Sequence, residues 1–412
     1  MTMSPGAEST APEVVAAAPV SRVWLFCFAL AWFGFWLLVM LPGQFMVVKL
    51  ASVIDATNKV TVGSFLIGEM AGVIVIGVPI IGWLCDRTRS RFGRRRTWVL
   101  AGFLTATIPF AWVGHQTSVV SVAILLGIVA IGQSAVLVSL SALIADRVPV
   151  VQRGRASAAM GVPQVIALAA GMIIVTELIP DVGWSWMVIA VLALLAPLPF
   201  VFGFSEPPRP ADAPVRSLGL RRGLRRLHGY RDFGWATLSR VLINAGNLVG
   251  TTYLLYFLAD VLGLADPDGA LLVLILVYLA ACAVASWAGG ILTDRWKARR
   301  MLVCVSAALQ AAAALVLALL PSWESSLVAA VLLGFGYGLF LSVDQALLTD
   351  LLPDETTRAR DLGIANSAQH LPIAPIIGWA VLAVSGYSQL YIVAAAVIML
   401  GGVTVLRIRS VR

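Results

Sequence analysis

Charge is what this chain has least of. Only 12% of its 412 residues are Asp, Glu, Lys or Arg, against 60% hydrophobic, and the mean hydropathy is +0.93. A soluble domain carries about 25% charged residues, so a soluble fold is excluded. Histidine and cysteine are scarcer still, at three and four residues. Cys27, Cys85, Cys282 and Cys304 fall inside apolar runs or at their ends, with no metal-ligand spacing, so neither a disulfide framework nor a metal site is expected. No GxxxxGK[ST] loop occurs, which argues against a P-loop ATPase. No grouping of nucleophile, base and metal ligand points to an enzyme, and no cofactor is expected. Without a soluble stretch to bear it, the net charge of +8 does not indicate nucleic-acid binding.

What the chain has is apolar runs of about 20 residues or more, the length that crosses a bilayer as a helix. Twelve are read: 23–48, 60–84, 97–115, 118–145, 155–178, 183–204, 233–262, 269–292, 301–320, 325–351, 361–385 and 387–406. They are continuous rather than alternating, which excludes a closed β-barrel. Small residues recur at four-residue spacing, as at Gly68 and Gly72, where neighbouring helices can approach closely. The expected fold is therefore all-α, with twelve transmembrane helices.

The basic residues fix an orientation. If the spans are right, all but Lys49, Lys59 and Arg240 of the 29 Lys and Arg lie on one side. The positive-inside rule places that side, and both termini, in the cytoplasm. The expected location is the plasma membrane, multi-pass, with the excess charge meeting lipid headgroups. Residues 1–20, rich in Ala, Pro and Ser, read as a disordered cytoplasmic tail without a cleavable signal. The loop that begins SEPPRPADAP divides the rest. The expected domains are a six-helix bundle at 21–204, a cytoplasmic linker at 205–232, a second bundle at 233–406 and a tail at 407–412. The expected oligomeric state is a monomer.

The second bundle restates the first. The loop GWLCDRTRSRFGRRR, six arginines within ten residues, follows the second span, and a shorter copy, GGILTDRWKARR, follows the eighth. Asp86 and Asp294 are 208 residues apart. Asp146 and Asp350 each precede a proline by three residues, and Arg155 with Arg360, and Gln164 with Gln369, share an offset of 205. Several spacings agreeing at once indicate parallel six-helix repeats, giving two pseudo-symmetric bundles.

With Gly82-x-x-x-Asp86-Arg87 and Gly93-Arg94-Arg95-Arg96, the chain resembles the major facilitator superfamily over essentially its full length. The fuller loop is similar to that of the glycoside and sucrose-type symporter branch, with Cys85 where a small serine is usual, and the run Val343–Asp350 looks like uncharacterised bacterial members near it. The resemblance implies a solute transporter that alternates between two open states. It implies a gating role for Asp86, whose partner would lie across the interface between halves. Arg87, Arg91 and Arg94 would form pairs or grip lipid phosphates, and Gly82, Gly93, Asp294 and Arg295 complete the signature positions. Asp86 also ends its helix, where a carboxylate is unfavourable beside the helix dipole.

Ionisable groups inside the bilayer are the natural coupling candidates, because an unpaired charge there costs about 2.5 kcal/mol or more. Glu69 lies near the middle of the second span without a cationic neighbour in sequence. Arg240 sits about two turns into the seventh span and Asp344 about two turns before the end of the tenth, hence at similar depth. The resemblance places those two spans beside the central cavity. Glu69, Asp344 and His370 are the candidates for a coupling proton. Trp32, Trp36, Gln133, Gln164, Arg240, Asn244, Asn247, Tyr253, Gln345, Asn366 and Gln369 are the candidates for solute recognition, since amides and rings suit a hydroxyl-rich solute. Trp24, Trp184 and Trp323 read as interfacial belt residues. The expected activity is proton-coupled symport of a sugar-like solute. The alternative is proton-antiport efflux of a drug or secondary metabolite, although Gly161-Val162-Pro163 is a poor match to the efflux pattern.

Overall fold

The computed structural model describes residues 19–149, 152–204, 231–296, 299–351 and 371–408. Its secondary structure is helical throughout these residues, the form in which a span satisfies its own backbone hydrogen bonds inside lipid. In chain order the helices are α1 (Arg22–Ile54), α2 (Lys59–Arg87), α3 (Arg94–Val113), α4 (Val119–Arg147), α5 (Gly154–Leu178) and α6 (Val182–Gly203). The second half contributes α7 (Arg231–Asp260), α8 (Pro267–Trp296), α9 (Arg299–Leu319), α10 (Trp323–Asp350), α11 (Ile373–Leu382) and α12 (Tyr387–Val405). Ten are apolar and long enough to cross a membrane. The other two are α3, which opens on three arginines, and α11, described over ten residues.

Helix ends follow local chemistry. Ser21 starts α1 by accepting the Trp24 amide at 3.1 Å, and Asp181 starts α6 by accepting the Trp184 amide at 2.8 Å. Gly93 caps α3 at φ 93°, a conformation that other residues adopt only with strain, so a glycine is required at this point of the arginine loop. Two helices loosen into π turns, α1 at Pro42–Met46 and α5 at Ile174–Leu178.

The pairing of helices repeats between the halves. In the first, α2 packs on α4, α3 on α4 and on α6, and α1 on α6; in the second, α8 packs on α10, α9 on α10 and on α12, and α7 on α12. This is the two-fold relation read from the loops, now expressed in packing. Close approach depends on small residues: added side chains at Gly334 and Gly338 of α10 would overlap the Tyr278 and Cys282 carbonyls of α8. The halves meet where α2 touches α11, α5 touches α8, and the end of α1 touches α7. Trp24 departs from the belt expectation. It is 7% exposed, stacked on Phe28 and edge-on to Phe200, because the turn that ends α6 folds an apolar ring back over it.

Candidate functional site

The polar contacts described between the halves gather at the arginine-poor end. Lys49 at the end of α1 pairs with Asp268 at the start of α8. Lys59 at the start of α2 reaches Asp260 at the end of α7 at 2.5 Å, and Tyr387 of α12 donates to the same carboxylate at 2.7 Å. The Tyr256 hydroxyl of α7 donates to the Val48 carbonyl at 2.8 Å and lies 3.2 Å from the Lys59 carbonyl. One turn deeper, the Tyr253 hydroxyl meets Ser64 of α2 at 2.7 Å. Tyr253 is 1% exposed and lies flat on Gly378 of α11, where any side chain would overlap its ring. These contacts draw α1 and α2 against α7, α8 and α11.

The arginine-rich end is organised within halves. Arg95, 6% exposed, places Nη2 3.1 Å from Asp86 and Nε 3.0 Å from Asp146, and Nη1 donates to the Cys85 sulfur at 3.1 Å. Arg94 reaches the same two carboxylates at 3.4 and 3.0 Å. Two acids at the ends of α2 and α4 are thus bound to two arginines at the start of α3. Arg87 lies over the Trp83 ring at 3.9 Å, and Arg91 is in the turn before Gly93. Gly82 faces Val138 of α4 at 3.8 Å from an added methyl, so this conformation leaves room for one. The second copy is described at Asp294 and Arg295 as helical backbone only. Arg95 and Asp146 were read from the sequence only as parts of the signature run and of the repeat, not as site residues. The two arginines are adjacent in GRRR, and nothing in the run tells which one turns inward.

Apart from Arg95, ionisable groups with buried atoms fall in two places within the spans. Arg240 and Asp344, each 5% exposed, approach at 3.2 Å between α7 and α10. Close by, Asn244 donates to the Arg240 carbonyl at 2.9 Å and accepts from Tyr337 at 3.1 Å, and Asn247 donates to Gln310 of α9 at 3.2 Å. Polar contacts therefore run from α7 to α10 through Arg240 and Asn244, and from α7 to α9 through Asn247. Glu69 lies instead in the first bundle, its Oε1 against Gly127 of α4, with Oε2 buried and without a hydrogen-bond partner.

The remaining candidates separate by exposure. Gln133 is 2% exposed and bound to the Leu38 carbonyl at 2.8 Å, and Trp32 is 1% exposed beneath Trp36. Trp36, Gln164 and Asn244 are part-exposed. Trp36 donates to the Met160 carbonyl at 2.9 Å, and Gln164 lies 3.6 Å from the Met40 sulfur, so the two share the α1–α5 seam. His370, Asn366 and Gln369 lie outside the described residues, as does the side chain of Gln345. Among the described residues no group of three metal-ligating side chains forms.

Two pseudo-symmetric helical bundles that span a membrane and are joined at one end define the architecture of a secondary transporter. The chain belongs to the Major Facilitator Superfamily, matching it over residues 23–371 and again over residues 271–412. No curated protein matches the chain. Among solved structures it is similar to a mutant of the nucleoside transporter NupG, at 10% identity and TM-score 0.72, over 94% of this chain and 100% of that one. It is also similar to a bacterial homologue of the human lysosomal transporter Spinster, in an inward-facing and unoccupied conformation, at 16% identity and TM-score 0.66, over 95% and 99% of the two chains. At these identities the likeness is one of fold.

Proposed function

We propose that the chain is a proton-coupled symporter of a small, sugar-like solute, a monomer in the plasma membrane with both termini cytoplasmic. The observation that supports alternating access best is the asymmetry of the two ends. Cross-half bonds at Tyr253, Tyr256, Lys59 and Lys49 hold one end shut, while the described ion pairs at the other lie within a half. With the arginine-rich loops in the cytoplasm, the shut end is external and the conformation is inward-facing. Transport then requires these bonds to break as the halves rock.

Glu69 and Asp344 are the proposed proton sites. Glu69 has a buried oxygen without a partner, and Asp344 faces a single guanidinium in a nearly closed environment. A proton on either changes what the surrounding helices must neutralise, and so changes which conformation is cheaper. Asp86 is the proposed cytoplasmic gate: here it is held by Arg94 and Arg95 of its own half and not from across the interface, and a group of the other half would join it when that end closes, with Arg87, Arg91, Gly93, Asp294 and Arg295 in the supporting loops. Trp36 with Gln164, and Asn244 with Tyr337, offer the part-exposed ring and amide chemistry that suits hydroxyl groups.

The test uses purified protein in liposomes with a luminal pH dye and a panel of sugars, glycosides, nucleosides and hydrophobic cations. Solute-driven acidification of the lumen is expected on inward symport, whereas alkalinisation would identify antiport. Glu69→Gln and Asp344→Asn should each abolish gradient-driven accumulation while solute exchange survives. Uphill transport at the normal rate in both variants would remove the two acids from the coupling mechanism.

A further inference from the structure

The second bundle contains a narrow apolar cavity that the polar contacts around Arg240 do not use. It is lined from α7, α8, α9, α10 and α12 by residues such as Gly250, Leu274, Ala314, Ala330 and Tyr391. Two further observations mark it as more than loose packing. Gly250 is buried, yet a side chain built there would meet nothing within 4 Å, so the helix surface faces open space. Tyr391 is fully buried and its hydroxyl has no hydrogen-bond partner. A phenol buried without a partner is destabilising relative to a satisfied one, a cost that phenylalanine would avoid. The other half supplies two lining residues, Gln44 from the π turn of α1 and Leu168 of α5. The cavity therefore reaches the seam between the halves and is complete only while they are closed on it.

We infer that this cavity is a binding site for an uncharged, chain-like apolar molecule bearing one hydrogen-bonding oxygen, which pairs with the Tyr391 hydroxyl. The apolar lining excludes sugars and ions, because a hydroxyl-rich solute would leave its polar groups unpaired. The narrow shape suits an alkyl chain. Two sources share that chemistry, a free long-chain alcohol and the acyl chain of a bilayer lipid with its ester oxygen. Because Gln44 and Leu168 contribute only when the halves are closed, the bound chain favours the conformation described here. The site is independent of the solute proposed for the route between the halves.

The experiment is photolabelling of the full chain in phospholipid nanodiscs, with hexadecanol carrying a mid-chain diazirine, mapped by mass spectrometry. Label is expected on cavity residues of α7, α8 and α10. It should fall about ten-fold or more in Gly250→Leu, whose side chain fills the space, and about three- to ten-fold in Tyr391→Phe, which loses one hydrogen bond. A phosphatidylcholine with the same diazirine in one chain separates the sources: whichever carrier labels the cavity in competition names the occupant. Label confined to exposed positions such as Val273 and Leu276, and unchanged in Gly250→Leu, would overturn the site. Thermal unfolding gives a second readout. Hexadecanol should raise the wild-type midpoint, raise that of Tyr391→Phe less, and leave Gly250→Leu unmoved. If instead both variants are simply more stable than wild type and hexadecanol has no effect on any, the cavity is an empty packing defect.

Discussion

The two ends of the bundle use ion pairs for opposite purposes. At the arginine-rich end, Arg94 and Arg95 tie Asp86 and Asp146 together within the first half. At the arginine-poor end, Lys49 and Lys59 pair with Asp268 and Asp260 across the two halves. A pair inside one rigid half persists through a rocking motion, so it can be buried and multiply bonded. A pair between halves must break in each cycle, so it stays part-exposed, where each bond is worth little and water can replace it. Burial follows this division for the cations and for the membrane pair only. The side chains of Arg95, Arg240 and Asp344 are 6–7% exposed, whereas those of Lys59 and Asp260 are 21% and 34% exposed; the acids that Arg95 binds, Asp86 and Asp146, are as open as the latter, at 28% and 39%.

The largest effect should come from breaking a pair inside a half. Arg240→Met leaves Asp344 buried without its cation, and loss of one partner of a buried pair costs about 3–5 kcal/mol. The midpoint of thermal unfolding in detergent should fall by several degrees, and the double variant Arg240→Met/Asp344→Leu should recover most of it. No recovery would mean that the site depends on the ions themselves and not on their mutual neutralisation.

Next comes the tightest point of the closure. Gly378→Ala forces the Tyr253 ring off α11 and pulls its hydroxyl from Ser64. The expected result is an opening of the arginine-poor end, with the population shifted about ten-fold or more, equivalent to about 1.4 kcal/mol. Distances between spin labels on the loops at the two ends would report it. An unfolded or unshifted protein would contradict the assignment of this contact to closure.

How much of this was legible in the sequence follows the same line. The spans were legible because a bilayer demands long apolar runs, and the repeat because Asp86 and Asp294 stand in matching loops. Arg240 and Asp344 could be placed at one depth by counting helical rise, and they lie 3.2 Å apart. The closure at the arginine-poor end was not read, although Lys49 and Lys59 already stood out as the two cations away from the rest. Their partners come from sequence about 200 residues away, and no local pattern links them. Tyr256 was illegible for another reason: its main acceptor is the Val48 backbone carbonyl, which every residue has. The same applies to Gln133, an amide expected to meet solute and found on the Leu38 carbonyl. A polar side chain within a span announces that it needs a partner, and only the packing decides whether that partner is backbone, side chain or solute.

Two smaller substitutions would sharpen the contrast between the ends. Tyr256→Phe removes the hydrogen bond that its hydroxyl donates to the Val48 carbonyl without changing shape, and a net loss of about 0.5–1.5 kcal/mol should shift the population roughly three- to ten-fold towards opening. Lys59→Gln should do least. A part-exposed pair is worth about 0.2–1 kcal/mol, so the shift should be at most about five-fold at low salt. Salt supplies the discriminating measurement, because screening acts on exposed charges over about 8 Å at physiological ionic strength. In the wild type, raising salt should open the arginine-poor end slightly and leave unfolding governed by the buried pairs unchanged. In Lys59→Gln, that part of the salt response should shrink while the Lys49–Asp268 pair keeps the remainder. A salt response that is equal in wild type and variant would show that hydrogen bonds from Tyr253 and Tyr256, and not the exposed ion pair, hold that end closed.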